Sequence, residues 1–349
     1  MTSPLIVIGA GGTAGHVVPA LAVADALRAE GARVVFIGGR RAEQTLVPAA
    51  GYELRTIDVV SLPRRDPVKA LNAGLTDAGA LRACRRIIRE LKPDAVFGAG
   101  GYVAGPVGLA AVVARIPLVL LESDSHLGLT NRLLARVARR VCLAFPLQGR
   151  EPPRYLVTGR PIPPPATDRA AARERFGLGP DDRVVLVFGG SLGARSINQA
   201  AVEAFAGADF RVLHAAGERD FADLQAPGPH YDLRSYIDDF NQALLASDLV
   251  VARSGGSVFE VAAHGKPMIL IPYPHATADH QTANARYMER AGAAVVIPDG
   301  ELSAARLAEA ARELLGRPET LATMAAAAAT VARPQAASEV ARAILAQAR

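Results

Sequence analysis

Short apolar runs, glycine-rich turns and amphipathic helical stretches alternate along most of the chain. Pro4–Ile8 is an apolar run of strand length that opens into Gly9-Ala10-Gly11-Gly12-Thr13-Ala14-Gly15-His16. Leu21, Val23, Ala24 and Leu27 then fall on helical spacing, predicting a helix from about Val18 to Glu30. Arg33–Ile37, Ala95–Phe97 and Leu118–Leu121 read as further strands. The last two open into Gly98-Ala99-Gly100-Gly101-Tyr102 and Glu122-Ser123-Asp124-Ser125-His126. This alternation predicts an α/β, doubly wound domain over residues 1–160.

Pro161-Ile162-Pro163-Pro164-Pro165 reads as a stiff linker, after which the pattern restarts. Arg183–Phe188 is a strand, Gly189-Gly190-Ser191-Leu192-Gly193-Ala194 a glycine turn, and Ser196–Phe205 a helix. Phe210–Ala215, Tyr231–Ile237 and Leu249–Ala252 continue a second sheet. Arg253-Ser254-Gly255-Gly256-Ser257 then turns into a helix, Val258–His264, which Gly265 and Pro267 end. Met268–Pro272 is a strand followed by a polar loop holding His275 and His280. The alanine-rich tail from Leu302 is helical with breaks at Pro318 and Pro334. The second domain is expected over 161–334, with the last helix, about 335–349, returning to the first.

Composition narrows the classes. Half of the 349 residues are hydrophobic and 21% are charged, so a disordered chain is excluded. Cys84 and Cys142 lie in no metal-like cluster and read as buried thiols of a reducing compartment. No basic stretch precedes the first apolar run, so no signal peptide is expected. Ala95–Ala114 is uncharged for twenty residues, but its glycines and Pro106 fit a strand, turn and helix better than a membrane span. The net charge of +5 is uneven: residues 1–160 hold 21 basic and 12 acidic side chains, the remainder 18 and 22. Arg82, Arg85, Arg86 and Arg89, interleaved with Leu81, Ile87, Ile88 and Leu91, form an amphipathic basic stretch. A second such cluster is Arg132, Arg136, Arg139 and Arg140. Both suit an anionic leaflet or an ordinary solvated helix face. With 5% aromatic residues and no Trp, a single-stranded nucleic acid is a poor partner.

The chemistry lies in the turns. Gly9, Gly11 and Ala14 satisfy a dinucleotide pattern, yet the next strand ends in Gly38-Gly39-Arg40-Arg41 rather than in the acid that would hold a ribose. An NADP-binding oxidoreductase or sensor, with Arg40 on the 2′-phosphate, stays open on this pattern. His16, at a helix start, would have its neutral form favoured and suits a general base. Ser191 with the N–H groups of Gly190, Gly193 and Ala194 forms an anion cradle or a plain cap. Ser257-x-x-Glu260 fits a capping box, and spacing alone favours that over a carboxylate on ribose hydroxyls. Asp238-Asp239 reads as a metal pair or a polar strand end, and His275, Asp279, His280 and Gln281 as hydrogen-bonding groups for a sugar.

In chain order, Gly11–His16 with Pro19–Ala24, Gly100-Gly101-Tyr102-Val103 with Gly105-Pro106, Gly128-Leu129-Thr130-Asn131, Gly189–Ala194, Tyr236–Asp239, Arg253-Ser254-Gly255 and His275–Asn284 form an ordered set. That set resembles the MurG family, whose members transfer GlcNAc from UDP-GlcNAc to undecaprenyl-pyrophosphoryl-MurNAc-pentapeptide. The resemblance implies a GT-B fold, two Rossmann-like domains facing a cleft, and an inverting hexosyltransferase without cofactor or bound metal. It implies peptidoglycan synthesis at the cytoplasmic face of the cell membrane, with the protein attached peripherally. It makes His16 the base and puts the acceptor pyrophosphate near Thr13–Gly15, Gly12, Gly100, Gly101, Tyr102 and Asn131. For the donor it implies Ser191 and Gly193 near the diphosphate, Ile237 at the uracil, Glu260 on the ribose and Gln281 on the GlcNAc. Thr13, Ala14, Gly15, Asp124, Arg160, Gly255, Gly256, Ser257 and His280 complete that donor set. The chain departs from the family's usual pattern at Leu121-Glu122-Ser123-Asp124, where His-Glu-Gln-Asn is common, and at Pro163, where an arginine is usual and Arg160 is close. His280 replaces a frequent glutamine, and the 253–260 turn is one residue short. These departures leave open a divergent transferase using another nucleotide sugar or lipid acceptor.

Overall fold

The computed structural model describes residues 3–59, 67–190, 192–276 and 279–348, and their side chains except those of 67–77. The chain divides into two compact units, 1–163 joined by 333–349, and 164–332.

The first unit is a seven-stranded sheet: β1 (Leu5–Gly9), β2 (Arg33–Gly38), β3 (Glu53–Thr56), β4 (Ala95–Gly98), β5 (Leu118–Glu122), β6 (Arg140–Leu143) and β7 (Tyr155–Val157). Their order is β3-β2-β1-β4-β5-β6-β7 and each pairing is parallel. The central strands are buried on both faces, which is why they read as unbroken apolar runs. The edge strands β3 and β7 are half-exposed and only four and three residues long, too short for periodicity to reveal them. One face packs the helices Ala14–Ala29 and Ala336–Leu345 around Val23, Leu27, Val340 and Ile344. The other packs Pro67–Leu91, Ala104–Val113 and Leu129–Leu134 around Cys84, Ile88, Val107 and Leu134. Cys84 and Cys142 are buried thiols, and burial pushes both up to about 12.

The second unit holds β8 (Val184–Phe188), β9 (Arg211–Ala215), β10 (Tyr231–Arg234), β11 (Leu249–Ala252), β12 (Met268–Leu270) and β13 (Ala294–Val296). Their order is β10-β9-β8-β11-β12-β13, again parallel throughout. Two predicted strands end early: Ser235–Ile237 and Ile271–Pro272 are loop. The tail forms Ala304–Leu315, Pro318–Val331 and Ala336–Leu345, with Pro318 at the first helical position, where its missing N–H costs nothing.

Strand order reverses direction between β1 and β4 and again between β8 and β11. In an open parallel sheet the crevice past the strand C-termini at such a reversal is the ligand site. Each unit carries its glycine turns there, after β1 and β4 in the first and after β8 and β11 in the second.

Candidate active site

The first helix begins at Ala14, four residues earlier than its apolar spacing predicts, so His16 lies within its first turn. His16 N–H donates to Thr13 O at 3.0 Å, and that turn contains no acidic residue. The imidazole rests on the turn after β4. A Cβ at Gly100 would stand 2.9 Å from His16 Nδ1, and one at Gly101 would stand 2.0 Å from Gly11 O, with φ values of +101° and +73°. Only glycine brings these two turns so close. His16 Nδ1 is buried and has no hydrogen-bond partner among the described residues. Burial, and next the Arg160 guanidinium, hold the imidazole below its ordinary pKa, while Asp124 opposes them. The imidazole is therefore neutral at neutral pH.

Arg160 reaches this point for a reason written into the helix. Pro19 lies inside Ala14–Ala29 and has no N–H for the carbonyl four residues back, that of Gly15. Arg160 Nη2 donates to Gly15 O instead. The proline thus frees an acceptor one residue before His16, and a buried guanidinium takes it.

Asp124 follows β5 in a loop organised by Glu122. That buried carboxyl accepts from Asp124 N–H at 3.2 Å, Gly128 N–H at 2.9 Å and Asn131 Nδ2 at 3.0 Å. Burial raises its pKa against those hydrogen bonds. Asn131 also donates to Leu121 O, so its amide nitrogen shapes the loop.

Glu43 has no counterpart in the motif reading. It is fully buried and accepts from Gly12 N–H at 2.9 Å, Gly39 N–H at 2.8 Å and Tyr102 Oη at 3.2 Å. Its only signal in the sequence is an acid in the first turn of the helix Ala42–Ala49. This carboxylate occupies the Gly12 N–H that a dinucleotide phosphate would require, and Arg40 pairs with Asp58 at 2.9 Å. The NADP reading fails on the first point, since the exposed Arg40–Asp58 pair holds its arginine only weakly, and Gly12 N–H is engaged by Glu43 rather than open to a pyrophosphate.

In the second unit, Gly193 has φ +73°, and a Cβ there would meet Ala216 O at 2.1 Å. The turn after β8 therefore packs on the turn after β9 as only glycine allows. Ser191 lies outside the described residues. Ser257 stands at the start of Val258–Ala263 with no side-chain cap hydrogen bond, so the expected capping box is absent and Glu260 is half-buried on that short helix. Asp239 pairs with Arg175, and no cluster that could hold a metal occurs among the described residues. Ile237 is buried in the loop beyond β10.

Arg253, a further residue the motif reading left without a role, is buried and donates to Ile271 O at 3.2 Å, Pro272 O at 3.1 Å, Asp299 Oδ1 at 2.6 Å and Ser196 Oγ at 2.9 Å. It joins the loop beyond β12 to the helix that follows the glycine turn. Gln281 Oε1 accepts from Tyr273 N–H at 3.0 Å, and Ser254 Oγ donates to Gln281 O at 2.7 Å, so Gln281 is seated against the turn that holds Gly255 and Gly256. His280 opens the helix His280–Arg290 beside it.

Residues 6–143 match the glycosyltransferase family 28 N-terminal domain and residues 184–340 the glycosyltransferase family 28 C-terminal domain. With two parallel α/β sheets reversing at their glycine turns, these matches define a GT-B glycosyltransferase. A Moorella thermoacetica protein named UDP-N-acetylglucosamine--N-acetylmuramyl-(pentapeptide) pyrophosphoryl-undecaprenol N-acetylglucosamine transferase is 42% identical, covering 97% of this chain and 98% of its own. A Pseudomonas putida (strain W619) protein of the same name is 41% identical, covering 96% and 95%. The crystal structure of Acinetobacter baumannii MurG superposes with a TM-score of 0.78 at 30% identity, covering 98% of this chain and 99% of that one. The chain belongs to the MurG family of N-acetylglucosaminyltransferases.

Proposed function

We propose that this protein transfers GlcNAc from UDP-GlcNAc to the muramoyl C4 hydroxyl of undecaprenyl-pyrophosphoryl-MurNAc-pentapeptide, converting lipid I to lipid II. The acceptor oxygen attacks the anomeric carbon, the bond from that carbon to the diphosphate oxygen breaks, UDP leaves, and His16 takes the hydroxyl proton. Inversion follows from a single displacement. The observation that carries this reading is His16, a neutral imidazole in the first turn of a helix at the sheet reversal, in a chain related to such transferases over nearly its whole length.

Gly100, Gly101, Tyr102 and Asn131 belong to the acceptor side. Gly193, Ile237, Gly255, Gly256, Ser257, Glu260, His280 and Gln281 belong to the donor side, together with Ser191. The chemistry asks little else of the protein: oriented N–H groups and helix N-termini stabilise the charge on departing UDP by about 0.3–1 kcal/mol each when exposed.

The acceptor is lipid-linked, and the first unit carries a surface suited to an anionic leaflet. Arg82, Arg85, Arg86 and Arg89 are exposed on the helix Pro67–Leu91. Leu109 and Val113 are exposed on Ala104–Val113, which packs beside it, and Leu129 and Leu133 on Leu129–Leu134, which packs on Ala104–Val113 in turn; Leu129 is exposed to 61%, with Arg132 and Arg136 next to it. No helix among the described residues is long and apolar enough to cross a membrane. Peripheral attachment through this basic and apolar surface, at the cytoplasmic face, is part of the proposal, each basic group near the surface adding about 1 kcal/mol.

The test is transfer to lipid I with UDP-GlcNAc, alongside calorimetric titration with UDP-GlcNAc, UDP-glucose and UDP. Selective binding of UDP-GlcNAc with turnover supports the reading. UDP binding without preference for GlcNAc, or no turnover of lipid I, sinks it in favour of another donor or acceptor.

A further inference from the structure

We propose that Glu43 is a positioning residue for His16, fixing the two glycine turns against which the imidazole rests. The inference rests on the reading of His16 as the base. Glu43 accepts from Gly12 N–H, Gly39 N–H and Tyr102 Oη, and these donors belong to the turns after β1, β2 and β4. Those strands are neighbours in the sheet, so one carboxylate ties three consecutive C-terminal ends into a single frame. His16 is held by that frame. A Cβ at Gly12 would lie 4.0 Å from His16 Cδ2, and one at Gly101 would lie 3.5 Å from it. Gly12 and Tyr102 are also in contact, a Cβ at Gly12 falling 3.4 Å from Tyr102 Cε1.

The frame is sensitive to the chemistry at position 43. Both carboxylate oxygens are used, Oε2 by Gly12 N–H and Oε1 by Gly39 N–H and Tyr102 Oη. In Glu43→Gln one of these sites becomes an NH₂ facing a backbone N–H in a fully buried space, and the two donors repel. The side chain keeps its size, so the loss falls on the turns rather than on core packing. Misplacing a base by about 1 Å costs about 10²-fold in turnover.

Among the described residues, the charged groups acting on His16 are Arg160 beyond β7 and Asp124 beyond β5, with Tyr102 on the turn after β4 and Glu43 behind the turns. Loss of the Glu43 charge alone would lower the His16 pKa. Loosening of the turns would let water reach the ring and raise it toward the ordinary 6.5. The two effects have opposite signs.

The experiment follows the imidazole of His16 by NMR titration in wild type and Glu43→Gln, with His16→Asn to assign the signal. Kinetics with UDP-GlcNAc and lipid I are measured in parallel, with turnover normalised to UDP-binding sites. A raised His16 pKa, kcat per site down about 10²-fold and donor KM within threefold support the positioning role. A lowered or unchanged pKa, or kcat per site within threefold of wild type, overturns it. Should Glu43→Gln not fold, Tyr102→Phe removes one of the three hydrogen bonds, and a shift of the same sign with a fall of about three- to tenfold is expected. An unmoved His16 titration in Tyr102→Phe then overturns the proposal. The NMR readout needs no substrate, so a wild type inactive on lipid I would reject the assigned reaction without deciding the part played by Glu43.

Discussion

Acidification should weaken the second unit through one histidine, and the size of the effect follows from its surroundings. His214 lies on β9 with 0% exposure. Its Nε2 is 3.0 Å from Asn198 Oδ1 and its Nδ1 is 2.7 Å from Tyr231 Oη. Asn198 Nδ2 donates to Ala216 O at 2.8 Å, which leaves Asn198 Oδ1 as an acceptor and puts the imidazole proton on Nε2. Both ring nitrogens are therefore satisfied in the neutral form, and no carboxylate among the described residues bonds to the ring. Burial lowers the pKa from 6.5 to about 4. In the unfolded chain the same histidine titrates near 6.5. Between these values the unfolded state binds more protons, so stability is full above about pH 6.5 and is lost as pH falls toward 4. At about 1.4 kcal/mol per unit the complete loss is about 3 kcal/mol, of which about 2 kcal/mol falls between pH 7 and pH 5. The chain has no Trp, so circular dichroism during urea unfolding is the suitable assay. His16 and His264 are also lowered and add slope of the same sign, so the informative quantity is wild type against His214→Gln. The variant should lose about 2 kcal/mol less than wild type between pH 7 and pH 5 in the transition of this unit. Equal losses would refute the assignment of a neutral, uncompensated His214.

Pro19→Ala restores an N–H to the helix and makes it compete with Arg160 for Gly15 O. A gain of up to about 3 kcal/mol from helix propensity is offset by loss of a charge-assisted hydrogen bond of about 1.5–3 kcal/mol. Thermal unfolding should therefore move little while turnover falls, and unchanged turnover would show that this carbonyl does not hold Arg160 where it matters. His16→Ala should cut kcat about 10²–10⁴-fold. Because the folded pKa of His16 is lowered, the wild-type acid limb of kcat/KM should lie below pH 6.5, and a limb above that value would count against His16 as the base. Leu129→Ser with Leu133→Ser should weaken binding to anionic vesicles at all salt concentrations. Neutralising Arg82, Arg85, Arg86 and Arg89 should weaken it mainly at low salt, and unaltered sedimentation of both variants would reject this face as the membrane surface.

The alternation of apolar runs and glycine turns was enough to determine two doubly wound domains, because buried parallel strands must be apolar on both faces and crossovers must be helical. The ordered motifs also determined the family and brought His16, Tyr102, Asp124 and Gln281 into view. Polar groups whose partners lie far along the chain were not legible. Glu43 looks like an ordinary helix-start acid, and only the adjacency of β2, β1 and β4 brings it to Gly12, 31 residues away, and to Tyr102, 59 residues away. Arg160 meets Gly15 across 145 residues, at a carbonyl that Pro19 leaves open, and His214 finds Asn198 and Tyr231 across neighbouring elements of the second unit. Spacing offered Ser257 and Glu260 as a capping box, and the tertiary structure leaves it unformed. Periodicity reports which face of an element is buried. The end of a strand belongs to no face, so the partners of a polar group there are set by sheet order alone.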